Sequence, residues 1–174
     1  MKPIHHFILS SIFLCLTATQ CHKNASPADN PYGLPNATQT GAGIFACLIN
    51  GRNFIAHYDG TWSWAQYAGD SIGVIGSPKL DIFENIGFEV IANPVVVGAY
   101  NIDGSVTRGY FAADSTCLGT SFNITSSNAT SGTIQLTKID TVNKIISGTF
   151  HCIFPIPSCD TLNVTEGRFD YRYY

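Results

Sequence analysis

The sequence predicts an all-β fold, an antiparallel β-sandwich or flattened barrel of about nine to ten short strands. Short segments rich in β-branched and aromatic residues recur between turn residues, roughly every 8–12 positions. No stretch of about ten residues combines helical periodicity with helix end signals. Asn50-Gly51 lies between two apolar runs, and this dipeptide is the strongest short-range signal for a β-hairpin.

The first two strands are expected on either side of that turn, over residues 44–50 and 52–58. Residues 59–69 are typical of a loop or a short edge strand. Asn93-Pro94 and Asp103-Gly104 are turn signals further along the chain. Between these turns, strands are expected at 71–76, at 80–85 and 86–92 (or one strand bent at Gly87), and at 95–102, 106–112 and 117–124.

The last third of the chain, residues 131–174, predicts three antiparallel strands joined by two tight connections. Ile134 and Leu136 alternate with polar residues, which is the pattern of a strand with one buried face. Asp140 and Asn143 favour a hairpin loop, because their side chains hydrogen-bond to nearby backbone. Two prolines that follow Phe154 cannot donate to a β-ladder, so strand pairing should end there.

Large apolar residues change sides within the final strand. They occupy even positions before residue 165 and odd positions after it: Leu162, Val164, Phe169, Tyr171 and Tyr173. One inserted residue, a β-bulge with Gly167 at positive φ, would place both sets on one face. The alternative is that the two halves of the strand face different layers. The charged residues of the other row are expected on the solvated face: Glu166, Arg168, Asp170 and Arg172.

The N-terminal region predicts export and lipid anchoring. Lys2 precedes an apolar stretch over residues 7–16 that is too short to span a bilayer and fits a secretory signal. Leu16-Thr17-Ala18-Thr19-Gln20-Cys21 resembles a bacterial lipobox, whose cysteine is diacylated and becomes the mature N-terminus. We therefore expect a signal peptide at 1–20, a lipidated N-terminus and flexible tether at 21–43, and one all-β domain at 44–174. Ordinary signal cleavage that leaves Cys21 as a thiol is the alternative.

Four cysteines follow Cys21, and an even number in an exported chain favours two disulfides. They are Cys47, Cys117, Cys152 and Cys159. Cys152 and Cys159 flank the proline-containing loop and are the preferred pair, which leaves Cys47 for Cys117. The two other connectivities stay open, as does the possibility that some of these residues are buried thiols.

Composition and spacing exclude several classes of function. The formal net charge is −3 and basic residues form no cluster, which argues against nucleic-acid binding. His22, His57 and His151 stand apart from one another and from the cysteines, without the short spacings of metal ligands. We therefore expect no metal and no cofactor.

One short motif suggests a hydrolase. Residues 69–73 match the G-x-S-x-G pattern, in which Ser71 would be the nucleophile. In a hydrolase that serine lies on a strand-to-helix turn, whereas here the following residues favour a strand. The sequence therefore predicts no enzyme, and hydrolysis through Ser71 remains as an alternative.

Aromatic residues at the 59–69 segment are the better lead to a ligand. Trp62, Trp64 and Tyr67 lie close together in sequence, with Tyr58 just before them. Aromatic rings near a loop can stack on a sugar or on an apolar ligand. The alternative is that they cap one end of the core.

Several stretches together resemble a family of uncharacterised Bacteroidetes lipoproteins, a domain of unknown function. They are Leu34–Gly41, Phe45–Gly51, Leu136–Asp140, Ile146–Phe150 and Val164–Asp170. The resemblance implies a bacterial cell-envelope lipoprotein, in agreement with the lipobox at Cys21, and supplies no catalytic residues. We expect a non-catalytic β-domain anchored to the outer membrane, on its periplasmic or its outer side, that binds a glycan or an envelope protein. A purely structural surface lipoprotein is the alternative.

Overall fold

The computed structural model describes residues 31–56, 63–78, 84–104, 106–113, 122–124, 130–155 and 161–174. The chain divides into two compact units, Met1–Gly33 and Leu34–Tyr174, and the second contains all the strands described. They are β1 (Ile44–Ile49), β2 (Arg52–Ile55), β3 (Trp64–Tyr67), β4 (Ser71–Gly76), β5 (Glu84–Ile91), β6 (Gly98–Asn101), β7 (Thr107–Ala113), β8 (Phe122–Ile124), β9 (Ser131–Asp140), β10 (Ile145–Phe154) and β11 (Leu162–Arg172).

These strands form two antiparallel sheets, so the predicted all-β sandwich is confirmed. Sheet A has the order β2-β1-β11-β10-β9-β6, and sheet B has the order β3-β4-β5-β7-β8. Neither sheet closes into a barrel among the described strands. No helix in the described part of the chain has the length and apolar character needed to cross a bilayer.

The core between the sheets is centred on a group of aromatic rings. The Phe45 ring lies 5.1 Å from that of Phe150 and 6.3 Å from that of Phe88, centroid to centroid. The Phe88 ring of sheet B packs against the Phe150 ring of sheet A, with centroids 4.5 Å apart. Gly76 leaves room for the Phe45 ring, since a Cβ at that position would overlap it. Aromatic packing of this kind contributes beyond the apolar area that it buries.

Several local predictions are confirmed. Asn50 and Gly51 both have positive φ, 49° and 80°, and close the β1–β2 hairpin as a two-residue turn. Ser71–Gly76 is a strand with its predicted bounds, and the 59–69 segment contributes the edge strand β3. Asp103-Gly104 does turn the chain, but it leads from β6 in sheet A to β7 in sheet B.

Two of the four cysteines, Cys47 and Cys152, lie in the described part of the chain, so the expected disulfide pairing stays a prediction. Cys47 on β1 and Cys152 on β10 both lie in the core. Burial, and then the neighbouring Cys47, raise the pKa of the Cys152 thiol well above its ordinary value. The preferred partners, Cys117 and Cys159, lie outside the described residues, so the structure shows no disulfide.

The expected tether also ends earlier than predicted. Leu34 is only 2% exposed and packs in a small cluster with Ala46 and Leu48 on the outer face of β1. Residues 34–42, called the strap below, lie against the outer face of sheet A. Their polar composition suggested a flexible segment because it offers little to a hydrophobic core. The strap is instead held largely by hydrogen bonds, which hydropathy does not register.

A β-bulge lies in β11, as the change of parity predicts. Ala46 and Leu48 of β1 pair with Arg168 and Thr165, so two residues of β11 oppose one residue of β1. The pairing with β10 shifts at the same place. The apolar residues on both sides of the bulge therefore face one core: Val164, Phe169, Tyr171 and Tyr173.

The positive φ lies one residue earlier than predicted, at Glu166, with a value of 54°. Gly167 is required for a different reason. A Cβ there would lie 2.5 Å from the carbonyl oxygen of Phe150 and would overlap the Phe150 ring. Close packing, and not backbone conformation, thus explains the glycine.

We predict that Gly167→Ala destabilises the fold by roughly 2 kcal/mol or more, because β10 and β11 would have to separate. The matched control is Gly98→Ala in β6, where a Cβ meets nothing within 4 Å. The control should change the free energy of unfolding by less than about 0.5 kcal/mol. Urea unfolding of both variants measures the difference, and equal midpoints would contradict the packing argument.

Candidate functional site

A groove of about 490 Å³ lies on the outer face of sheet A, and we call it the sheet A groove. It is lined by Ala37 of the strap and by residues of three adjacent strands: Thr133, Gln135, Thr149, Phe150, His151, Thr165, Glu166, Gly167 and Arg168. Most of these side chains can donate or accept hydrogen bonds. The volume lies within the range of small-molecule sites.

Strand register brings the polar side chains together. Gln135 pairs with Thr149, and Thr149 pairs with Arg168, so these three form one row across β9, β10 and β11. Thr133 pairs with His151 in the next outward-facing row. The intervening residues are buried, because successive side chains of a strand point to opposite faces. Thr149 and His151 are solvent-exposed.

The bulge places the charged wall of the groove. Glu166 and Arg168 form an ion pair at 3.4 Å, and Arg168 Nε donates to the Glu166 carbonyl at 3.1 Å. Arg168 Nη1 donates to the Pro35 carbonyl at 3.2 Å, which ties the strap to the wall. The guanidinium is thus oriented from two sides, and its position depends on both the bulge and the strap.

Asp170 holds the strap in place. Its side chain is fully buried although it lies on the outer face, in the row that the sequence predicts to be solvated. Thr38 Oγ1 donates to it at 2.6 Å, and the backbone amides of Thr40, Gly41 and Ala42 donate at 2.9, 2.8 and 3.1 Å. Ser147 Oγ donates from the β10 side at 2.6 Å. This prediction is therefore wrong for Asp170, because the strap covers it.

The hydrogen bonds also set the ionisation of this carboxylate. Burial alone raises the pKa of Asp170, but the bonds from Ser147, Thr38 and the strap amides outweigh it. The pKa falls from 3.8 to about 2. Asp170 is consequently ionised at any pH near neutrality, and the strap is held by a charged acceptor.

Of the aromatic residues singled out in the sequence, the two that the structure describes, Trp64 and Tyr67, do not face one site. Trp64 and Tyr67 point to opposite faces of β3, because Ala65 between Trp64 and Gln66 is buried in the core. Tyr67 packs at the core edge against Tyr173, with ring centroids 5.4 Å apart. This is the capping role named as the alternative. Trp62 lies outside the described residues.

Ser71 begins β4 and pairs with Ile91 of β5. The strand continues to Gly76, so the serine does not occupy the strand-to-helix turn that the hydrolase motif requires. Within the described residues no group of three His, Cys, Asp or Glu side chains is placed to hold a metal ion. Cys21, His22 and His57 lie outside the described residues.

Reasoning from sequence missed the groove itself. Its signal was present, because polar residues occupy alternate positions on both sides of the predicted Asp140–Asn143 turn. Folding that hairpin in register would have placed Gln135 beside Thr149. The contribution of β11 carries no such signal, since β11 follows a loop and a bulge.

Comparisons with protein-family models, with curated proteins and with solved structures find no match for this chain. The resemblance to Bacteroidetes lipoproteins stays a prediction. What the protein does must therefore be argued from the chemistry of its own surfaces.

We predict that Asp170→Asn destabilises the domain by roughly 2–4 kcal/mol. The asparagine side chain would place an NH₂ group where one carboxylate oxygen of Asp170 accepts hydrogen bonds in the wild type, so that donor would face donor. Chemical unfolding at neutral pH measures the loss. Asp140→Asn is the matched control, because Asp140 accepts bonds from Val142 and Asn143 in an exposed turn, and its effect should be much smaller.

The pH dependence of stability provides a second test of the hydrogen bonds between Asp170 and the strap. The stability that ionised Asp170 contributes is complete above the ordinary carboxyl pKa of 3.8 and is lost as the pH falls towards about 2. In the Asp170→Asn variant, the free energy of unfolding should therefore depend less on pH in this range. The same pH dependence in the variant and the wild type would show that the ionised carboxylate contributes nothing to stability.

Proposed function

We propose that this protein is a non-catalytic cell-envelope lipoprotein whose β-sandwich binds a polar ligand in the sheet A groove. The observation that carries the proposal is the groove itself, where side chains of three adjacent strands converge in register. A solvated sheet face needs no concave shape and no oriented ion pair. Both are supported here by the strap and the bulge.

The chemistry of the lining indicates the class of ligand. Threonine hydroxyls and the Gln135 amide both donate and accept hydrogen bonds, and Arg168 adds a charged donor beside the Glu166 acceptor. A ligand with hydroxyl or amide groups satisfies this mixture. A purely apolar ligand would displace water from the threonine hydroxyls without replacing its hydrogen bonds, which is costly.

Anchoring through Cys21 completes the proposal. The lipobox-like stretch ends 13 residues before Leu34, where the unit that contains the described strands begins. Two acyl chains on Cys21 would keep the domain at the membrane surface. The groove would then sample ligands in the envelope, whichever side of the membrane the domain occupies.

We predict that the double variant Gln135→Ala/His151→Ala weakens ligand binding roughly tenfold or more, because it removes hydrogen-bonding groups from both rows of the groove. Amide chemical shifts of ¹⁵N-labelled protein, titrated with monomeric amino sugars and short peptides, provide the measurement. Shifts should concentrate on β9, β10 and β11.

The control for this experiment is Thr141→Ala at the exposed tip of the β9–β10 hairpin, which should leave binding unchanged. A double variant that binds as tightly as the wild type would remove the groove as the site. So would shifts that avoid these three strands.

We further predict that Cys21→Ser releases the protein from the membrane fraction, because the acylated thiol is lost. Fractionation of cells that express each form, with labelling by a fatty-acid analogue, provides the measurement. Cys15→Ser is the control and should remain membrane-bound and labelled. Retention of the Cys21→Ser protein in membranes would contradict lipid anchoring at this residue.

A further inference from the structure

The outer face of sheet B has a different chemistry from the sheet A groove. Its outward residues follow from the register, since their neighbours in each strand are buried in the core. A first row across the sheet contains Trp64, Ile75, Gly87 and Tyr110. A second row contains Gln66, Gly73, Glu89 and Arg108. A third contains Ser71, Ile91 and Val106.

Two glycines shape this face. A Cβ at Gly73 would lie 3.2 Å from the Trp64 indole, and a Cβ at Gly87 would overlap the hydroxyl end of the Tyr110 ring. The two aromatic side chains therefore reach over the backbone of neighbouring strands. Larger residues at these positions would push the rings away from the sheet. The result is a broad face that carries two aromatic rings in one row.

Two of the three rows carry solvent-exposed side chains, while Trp64 and Tyr110 in the first row are half-buried. Ile91 is 38% exposed and Val106 is 50% exposed. The side chains of Arg108 and Glu89, paired at 3.6 Å, are 48% and 42% exposed. Burial, and then the charge of Glu89, raise the pKa of Tyr110, so its hydroxyl stays a neutral donor.

The Arg108–Glu89 ion pair in the middle of the face favours some kinds of ligand over others. An apolar protein surface or lipid laid on this face would bury Arg108 and Glu89 without new partners, which costs more than the pair returns. A sugar avoids this cost. The C–H groups of a pyranose ring pack on an aromatic ring, while the hydroxyls on its rim can bond to the adjacent polar row.

We propose that the outer face of sheet B is a carbohydrate-binding surface for an extended chain of hexopyranoses. Trp64 and Tyr110 stack on sugar rings, and Gln66, Glu89 and Arg108 bond to their hydroxyls. This surface is separate from the sheet A groove, on the other side of the sandwich. It does not depend on what the groove binds.

The test measures binding of the mature, folded protein to cellohexaose, mannohexaose and chitohexaose by isothermal titration calorimetry. At least one of these probes should bind. Trp64→Ala and Tyr110→Ala should each weaken that binding roughly tenfold or more. Trp64→Phe, which keeps a ring, should lose less than Trp64→Ala. Thermal unfolding of each variant verifies that the fold is retained.

Two controls separate this surface from other sites. Tyr174→Ala removes a 75% exposed aromatic residue at the C-terminus and should have no effect. Gln135→Ala/His151→Ala disables the sheet A groove and should also leave hexaose binding intact. If none of the three probes binds, or if Trp64→Ala and Tyr110→Ala bind like the wild type, the proposal is wrong. Loss of binding only in the groove variant would likewise overturn it and would assign the sugar to the groove.

Discussion

One extra residue in β11, at the bulge that contains Glu166, determines the arrangement of sheet A. Upstream of it Val164 faces the core, and downstream Phe169 and Tyr171 do so. The same shift sends Arg168 and Asp170 to the outer face. Without the bulge, one of the two apolar sets would face solvent. The glycine that follows allows the Phe150 ring and carbonyl to pack closely against β11. Core packing and the charged wall of the groove therefore depend on the same local feature.

The strap shows how a polar segment becomes part of a fold. Apart from Leu34 it contributes little to a hydrophobic core, and its position depends on a buried carboxylate that accepts bonds from three successive backbone amides. Buried donors and acceptors need partners, so Asp170 and the strap satisfy each other. Lys138 adds a bond to the Gln39 carbonyl at 3.0 Å. The strap in turn provides one side of the sheet A groove and orients Arg168. Stability and the shape of the site are linked through this one side chain.

On both outer faces of the sandwich, alternate residues of each strand point outward, but the two faces differ in the chemistry of those residues. On sheet A, threonine, glutamine and histidine occupy the outward positions of β9 and β10, next to the charged pair of β11. On sheet B, glycines in β4 and β5 make space for the side chains of Trp64 and Tyr110. The alternation along each strand indicates which residues share a face. The connections between strands decide which strands become neighbours, and Asp103-Gly104, for example, crosses from one sheet to the other. The local sequence pattern does not specify where such a connection leads.

The sequence by itself determined the fold class, the Asn50-Gly51 hairpin, the last three strands and the change of parity in β11. Each of these follows from local periodicity or turn chemistry, which depends on residues near one another in the chain. Only the tertiary structure decided that Asp170 is buried and that residues 34–42 belong to the domain. Asp170 bonds to residues about 130 positions earlier in the chain, and no local pattern reports such a pairing. Local sequence reasoning places a charged residue on a solvated face, because it contains no information about a distant segment that covers that residue in the fold.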